Sequence, residues 1–282
     1  MAVAAIDIGG SSIKAALIKN GCIVRKVVLP TMAGRKRVLS NIVSAALMAI
    51  GDTKIQYVGV GCPGPIDHGK VLDTKNILLA DFDLQTYLQR KLKHKVIVAR
   101  DVECFTLGEA LYGAGCGKKL VAGLALGTGV GGGIVLEGRQ FLGRGNAGEF
   151  GHMSISEQQK CSCGNIGCIE EFLSTRGIMR LAKGVAKNPK ELHELALKGN
   201  KKALAAYARA GEYLGIAAMS IIRAIDPDVL VIGGGISQAR QYMKPSMERV
   251  LRQRLNYKPG KVVFSSMDDA ALLGAASLQQ TF

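Results

Sequence analysis

The chain has 282 residues, 48% of them hydrophobic, with 36 glycines, 7 cysteines and a formal net charge of +15. These totals describe a folded α/β protein long enough for two lobes, and they exclude a disordered tail and a disulfide-stapled miniprotein. There is no membrane-length apolar run and no signal peptide with a basic start, so the sequence predicts a cytoplasmic protein with no membrane partner.

Short strands are predicted over 3–8, 13–18 and 22–29, joined by Gly9-Gly10-Ser11-Ser12 and Lys19-Asn20-Gly21. A helical period follows over 38–50, then a strand over 57–60, and Pro63-Gly64-Pro65 breaks the chain. A strand over 96–99 leads into a helix over 102–112, with Asp101 at its start, where it could serve as the N-cap. The opening device then returns as a strand over 121–126, the turn Gly127-Thr128-Gly129-Val130-Gly131-Gly132-Gly133, a strand over 134–136 and a second turn at Glu137-Gly138-Arg139. This repetition suggests an internal duplication: one lobe over 1–115, completed by a C-terminal helix within 268–282, a second over 116–267, and a cleft between them. Residues 170–225 read as mainly helical. They are followed by a strand over 229–232 running into Gly233-Gly234-Gly235, a helix over 242–255, a strand over 262–264 and a helix over 270–278.

The basic residues fall in separate bursts, at 35–37, 90–95, 183–202 and 249–254, with few aromatics beside them. They read as solvated helix faces, and nucleic acid is not an expected partner. Cys22, Cys62, Cys104 and Cys116 lie apart without paired spacing and read as reduced, buried thiols.

His152, Cys161, Cys163 and Cys168 stand in the order H-x8-C-x-C-x4-C, within a polar turn that includes Lys160, Ser162, Gly164 and Asn165. Three thiols and an imidazole complete a closed tetrahedral zinc site, so a metal there would organise the loop over 152–168 and would not polarise a substrate. Glu149 and Glu170 flank the group. The two glycine turns would let backbone N–H groups approach a polyphosphate, and Asp7, just before the first turn, could hold Mg²⁺ through water. Neither turn is a P-loop, since G-x4-G-K-[ST] is absent, and a strand follows each where a dinucleotide fingerprint requires a helix.

The segments 7–11, 61–65, 126–133, 148–152, 161–170 and 226–235 together resemble the ROK family of repressors and sugar kinases. The resemblance implies the actin-like ATPase (ribonuclease H-like) fold with two lobes, ATP with Mg²⁺, a structural Zn²⁺, a homodimer, and transfer of the γ-phosphoryl group to a hexose hydroxyl, usually O6 of glucose or an N-acetylhexosamine. It makes Asp101 the catalytic base and Gly64, Arg100, Glu149, His152 and Glu170 hexose contacts. It puts Gly9, Gly10, Ser11, Gly127, Thr128, Gly129, Gly131, Gly132 and Gly133 around the phosphates and Gly234 near adenosine. His152 would give one ring nitrogen to zinc and the other to the sugar.

Two positions depart from the family pattern. Arg100 replaces a usual Asn, as in the allose-kinase branch, and offers only donors, so it would either change the sugar preference or turn away to pair with a carboxylate. Ser12 stands where Lys is frequent, and Lys14 on the same strand face could substitute. The alternatives left open are an allose kinase, a kinase using polyphosphate, and a sugar-sensing regulator. The last would carry a helix-turn-helix before the sugar domain, for which Asp7 leaves no room.

Overall fold

A computed structural model describes residues 1–74 and 77–280. In chain order the elements begin with β1 (Ala2–Ile8), β2 (Ser12–Lys19), β3 (Cys22–Pro30), α1 (Arg35–Ile50) and β4 (Val58–Cys62). Then come β5 (Ile66–Asp67), β6 (Lys70–Val71), β7 (Phe82–Asp83), α2 (Leu84–Leu92), β8 (Val96–Arg100) and α3 (Asp101–Tyr112). The middle of the chain supplies β9 (Leu120–Leu126), β10 (Val130–Leu136), β11 (Arg139–Gln140), a 3-10 turn at Phe150–His152, and α4 (Glu170–Leu173), α5 (Thr175–Leu181), α6 (Pro189–Leu197) and α7 (Lys201–Ile225). The chain continues through β12 (Val229–Gly233), α8 (Arg240–Arg254), β13 (Lys261–Phe264) and α9 (Ala270–Ala275).

Two five-stranded sheets share one plan, with strand orders β3-β2-β1-β4-β8 and β11-β10-β9-β12-β13. In the first, β1 pairs antiparallel with β2 and parallel with β4, and β4 pairs parallel with β8; in the second, β9 and β13 both run parallel to β12. The parallel strands carry continuous apolar runs, as elements covered on both faces must: all five residues of β4 and all five of β12 are buried. The edge strand β3 instead alternates and exposes Val24 and Val28.

The chain divides into two compact units. The first comprises Met1–Lys119, Gly133–Ala147 and Ser266–Phe282, and the second comprises Leu120–Gly132 and Gly148–Ser265. The sequence reading draws its boundary after 115 and keeps 133–147 in the second lobe; of its span 268–282, residues 281 and 282 lie outside the described residues. In the first unit α1 lays Val38, Leu39, Ile42, Ala45, Ala46 and Ala49 against the sheet. Helix α9 touches β4 and α3 at backbone distance, because a Cβ at Gly59, Gly108 or Gly274 would collide with a carbonyl group of Ala275, Ala270 or Cys104 respectively. Tyr57 anchors the same region by donating its hydroxyl to the carbonyl of Ala276.

The structure corrects several expectations. Helix α3 begins at Asp101 itself, so Arg100 is its N-cap and Asp101 its first helical residue. Cys62 and Cys104 are buried, but Cys22 and Cys116 are exposed, the first at the hairpin turn into an edge strand and the second in the loop after α3. The three-stranded sheet β5-β6-β7 and helix α2 were absent from the sequence reading; strands of two residues carry no readable period.

Candidate active site

In the first unit, parallel pairing brings three strand ends to one edge. Asp7 of β1 lies beside Gly61 of β4, and Cys62 lies beside Arg100 of β8, with Asp101 next in sequence. The carboxyl ends of parallel strands are where α/β sheets hold ligands, and two strand spacings, about 10 Å, separate the outer members of this row. Gly61 makes the row tight, because a Cβ there would lie 3.4 Å from both the Asp101 Cα and the Cys104 Sγ.

Asp101 is half-buried, and its carboxyl is pushed up to about 6, first by desolvation and then by the negative charge of Asp7; the hydrogen bond from Val102 and the charge of Arg100 pull it down. The Val102 N–H donates to Asp101 Oδ1 at 2.8 Å and fixes the carboxylate at the head of α3. Burial also raises Asp7, against the opposing charge of Lys14, whose Nζ lies 3.8 Å from Asp7 Oδ2. That contact follows from register, since Lys14 is the direct partner of Asp7 across β1 and β2. Between these strands Gly9 donates its N–H to Ser12 O at 2.9 Å, Thr31 Oγ1 donates to Gly9 O at 2.6 Å, and Gly10 and Ser11 project into solvent.

Arg100 points to a carboxylate. Its Nε donates to Glu103 Oε1 at 2.6 Å, and an Nη group donates to Ala147 O at 2.8 Å. Glu103 Oε2 also accepts from the Arg100 backbone N–H at 3.2 Å, and both side chains are buried. Glu103 was missed by sequence reading, although its i,i+3 spacing from a basic residue at a helix start is a legible signal. Gly64 has φ +94°, and a Cβ there would run into Asp73 O, so glycine is required by the backbone.

In the second unit, Gly127 donates its N–H to Gly129 O at 2.9 Å, which closes the second glycine turn with Thr128 exposed at its tip. Gly234, with φ +86°, lies against the Leu126 backbone just before that turn, because β12 runs beside β9. Gly131 is half-buried, and the space beside Gly132 is filled by Gly148 O and the Phe150 ring. Gly133, counted in the first unit, faces Thr106 of α3.

The cysteine segment is held by two isolated β-bridges, Ser154 with Cys168 and Lys160 with Ile166. The ligand atoms of His152, Cys161, Cys163 and Cys168 all lie within 4.8 Å of one another. His152 Nδ1 is 3.7 Å from Cys161 Sγ, and Cys163 Sγ is 3.6 Å from Cys168 Sγ. Zinc bonds of about 2.3 Å to sulfur and about 2.0 Å to nitrogen give tetrahedral edges of about 3.6–3.8 Å, so the donor set fits Zn²⁺. Charge points the same way. The proton affinities of the sulfurs split, Cys168 being pushed up to about 12 by burial and its sulfur neighbours while the Asn165 backbone hydrogen bond leads in lowering Cys163; a divalent cation would let all three ionise.

With Nδ1 turned to the sulfurs, His152 Nε2 is 3.9 Å from Glu149 Oε2. Glu170 opens α4, and its Oε2 accepts from the Val130 N–H at 3.0 Å. The neighbouring Glu171 is buried and paired with Arg176 and Arg180, which fixes α4 to α5.

Two sheets built on one plan define an actin-like ATPase architecture, and the similarities agree. Residues 3–281 match the profile of the ROK family. The chain is 32% identical to a glucokinase of Thermotoga maritima, covering 97% of this chain and 95% of that one. It is 37% identical to an N-acetyl-D-glucosamine kinase of Photobacterium profundum over 78% of this chain and 79% of that protein. The crystal structure of a ROK family glucokinase from Streptomyces griseus in complex with glucose and AMPPNP superposes with a TM-score of 0.87, with 27% identity, covering 99% of this chain and all of that one. The chain belongs to the ROK family. Its enzyme class is sugar kinase.

Proposed function

We propose that this enzyme transfers the γ-phosphoryl group of ATP to a hexose hydroxyl, O6 of glucose or of an N-acetylhexosamine. The observation that carries the reading is Asp101: a half-buried carboxylate fixed at a helix start at the carboxyl edge of the parallel strands, with its proton affinity raised to about 6. A base of that strength is ionised at neutral pH yet strong enough to take a hydroxyl proton as the oxygen attacks phosphorus. The proton passes to Asp101 Oδ, the new O–P bond forms, and the bond to the leaving ADP oxygen breaks.

In this reading Asp101 and Gly64 meet the hexose, and Asp7, Gly9, Gly10, Ser11, Ser12 and Lys14 meet the nucleotide, while the Arg100 guanidinium stays with Glu103 and Ala147 O. Glu149, His152 and Glu170 meet hexose hydroxyls, and Gly127 to Gly131 with Gly234 meet the nucleotide. Mg²⁺ near Asp7 would neutralise phosphate charge. Zn²⁺ on His152, Cys161, Cys163 and Cys168 would hold the loop, and through it His152 Nε2, in place. Among the described residues no helix is long and apolar enough to cross a membrane, and the reading places the enzyme in the cytoplasm as a homodimer. The homodimer rests on family resemblance alone.

A coupled assay with ATP and Mg²⁺ over glucose, mannose, allose, N-acetylglucosamine and N-acetylmannosamine tests the reading. Turnover of none of them overturns it. Polyphosphate in place of ATP tests the donor, and turnover of allose alone would move the assignment to the allose branch.

A further inference from the structure

The second unit ties its hexose-facing carboxylate directly to its nucleotide turn. Glu170 Oε2 accepts the Val130 N–H at 3.0 Å, at the point where the turn enters β10. Five residues on, at the start of α5, Thr175 holds the other limb of the turn: Gly127 O accepts from the Thr175 N–H at 2.8 Å and from its Oγ1 at 3.2 Å. A Cβ at Gly129 would come within 2.6 Å of Glu170 Oε2, so the turn and the carboxylate occupy adjoining space. The segment carrying Glu149 and His152 rests on the same strand, because Cβ atoms at Gly151 and Gly132 would collide with Val130 O and with Gly148 O and Phe150.

We infer that Glu170 and Thr175 are positioning residues that couple hexose binding to nucleotide binding within this unit. The inference rests on the hexose-kinase reading, in which Glu170 meets a sugar hydroxyl. A carboxylate has two oxygens and several acceptor sites, so Glu170 can bond the turn and the sugar together. A hexose that fixes Glu170 also fixes the Val130 amide, and with it a turn whose other limb is pinned by Thr175. The nucleotide then meets a turn already ordered. Linkage requires the reverse: bound nucleotide strengthens hexose binding by the same factor.

Titration calorimetry on the full chain, with glucose and N-acetylglucosamine and with a non-hydrolysable ATP analogue, tests this. In Gly129→Ala, a change in the nucleotide turn that displaces the tip of Glu170, hexose affinity measured without nucleotide falls about tenfold, the loss of one charge-assisted hydrogen bond. In Thr175→Val, which keeps the backbone bond and the side-chain shape, hexose affinity alone is unchanged while the gain in nucleotide affinity on adding hexose drops about fivefold; Thr175→Ser restores it. Hexose affinity unchanged in Gly129→Ala, or full coupling retained in Thr175→Val, overturns the inference with the kinase reading intact. Absence of any hexose binding by the unmodified protein removes both.

Discussion

Asp7 and Asp101 are linked through space: after burial, the charge on Asp7 is the largest influence raising the proton affinity of Asp101. If Asp101 is the base, kcat/KM falls as the pH drops below about 6, tenfold per pH unit. Asp7→Asn removes the charge and shifts that acid limb to lower pH, as rate profiles from pH 5 to 8 would register. An unmoved limb would detach the two carboxylates.

Asp101 also sets a stability signature. Its folded pKa of about 6 lies above the ordinary 3.8, so the folded state holds this proton more tightly. The stability it contributes is complete below about pH 4 and is lost as the pH climbs through 6. Asp101→Asn keeps an acceptor for the Val102 N–H but carries no charge. The variant is expected to lose turnover and, at pH 8, to gain up to about 3 kcal/mol of stability, measured by urea unfolding. A variant that is active, or less stable at pH 8, would contradict the role and the environment respectively.

Zinc should be present at one ion per chain by elemental analysis. Cys163→Ser, at the most exposed of the three sulfurs, or treatment with a strong chelator is expected to weaken hexose binding at least tenfold and to lower the melting temperature by several degrees. Full hexose affinity in metal-free protein would dissociate the loop from substrate binding.

The Arg100–Glu103 pair is buried at both ends. Glu103→Ala strands a guanidinium and is expected to cost about 3–5 kcal/mol. The Arg100→Leu/Glu103→Leu double variant should lose less than the sum of its single changes, which urea unfolding of all three variants measures. Additive losses would mean that the pair does not act as a unit.

What was legible in the sequence was local. Glycine turns between short apolar strands announced both hairpins, and the histidine with three cysteines announced a metal-type cluster, because each pattern lies within a few dozen residues. Glu103 could have been read from its spacing to Arg100, but the destination of the Arg100 guanidinium needed the Ala147 carbonyl, delivered by a distant segment. Thr175 carried no signal, since its partner at Gly127 is supplied by tertiary packing. Cys22 looked like a core thiol because its neighbours are apolar, yet an edge strand turns it outward.

Helix α9 packs backbone against backbone on α3, the helix that presents Asp101, yet more than a hundred residues of the other unit intervene in the chain before it. On the ribosome, α3 is therefore made long before its close-fitting neighbour. The first unit has to wait, partly assembled, until translation has passed through the second, so slow elongation or truncation ahead of Ala270 would release a chain whose α3 still bares glycine-lined surface to chaperones and proteases.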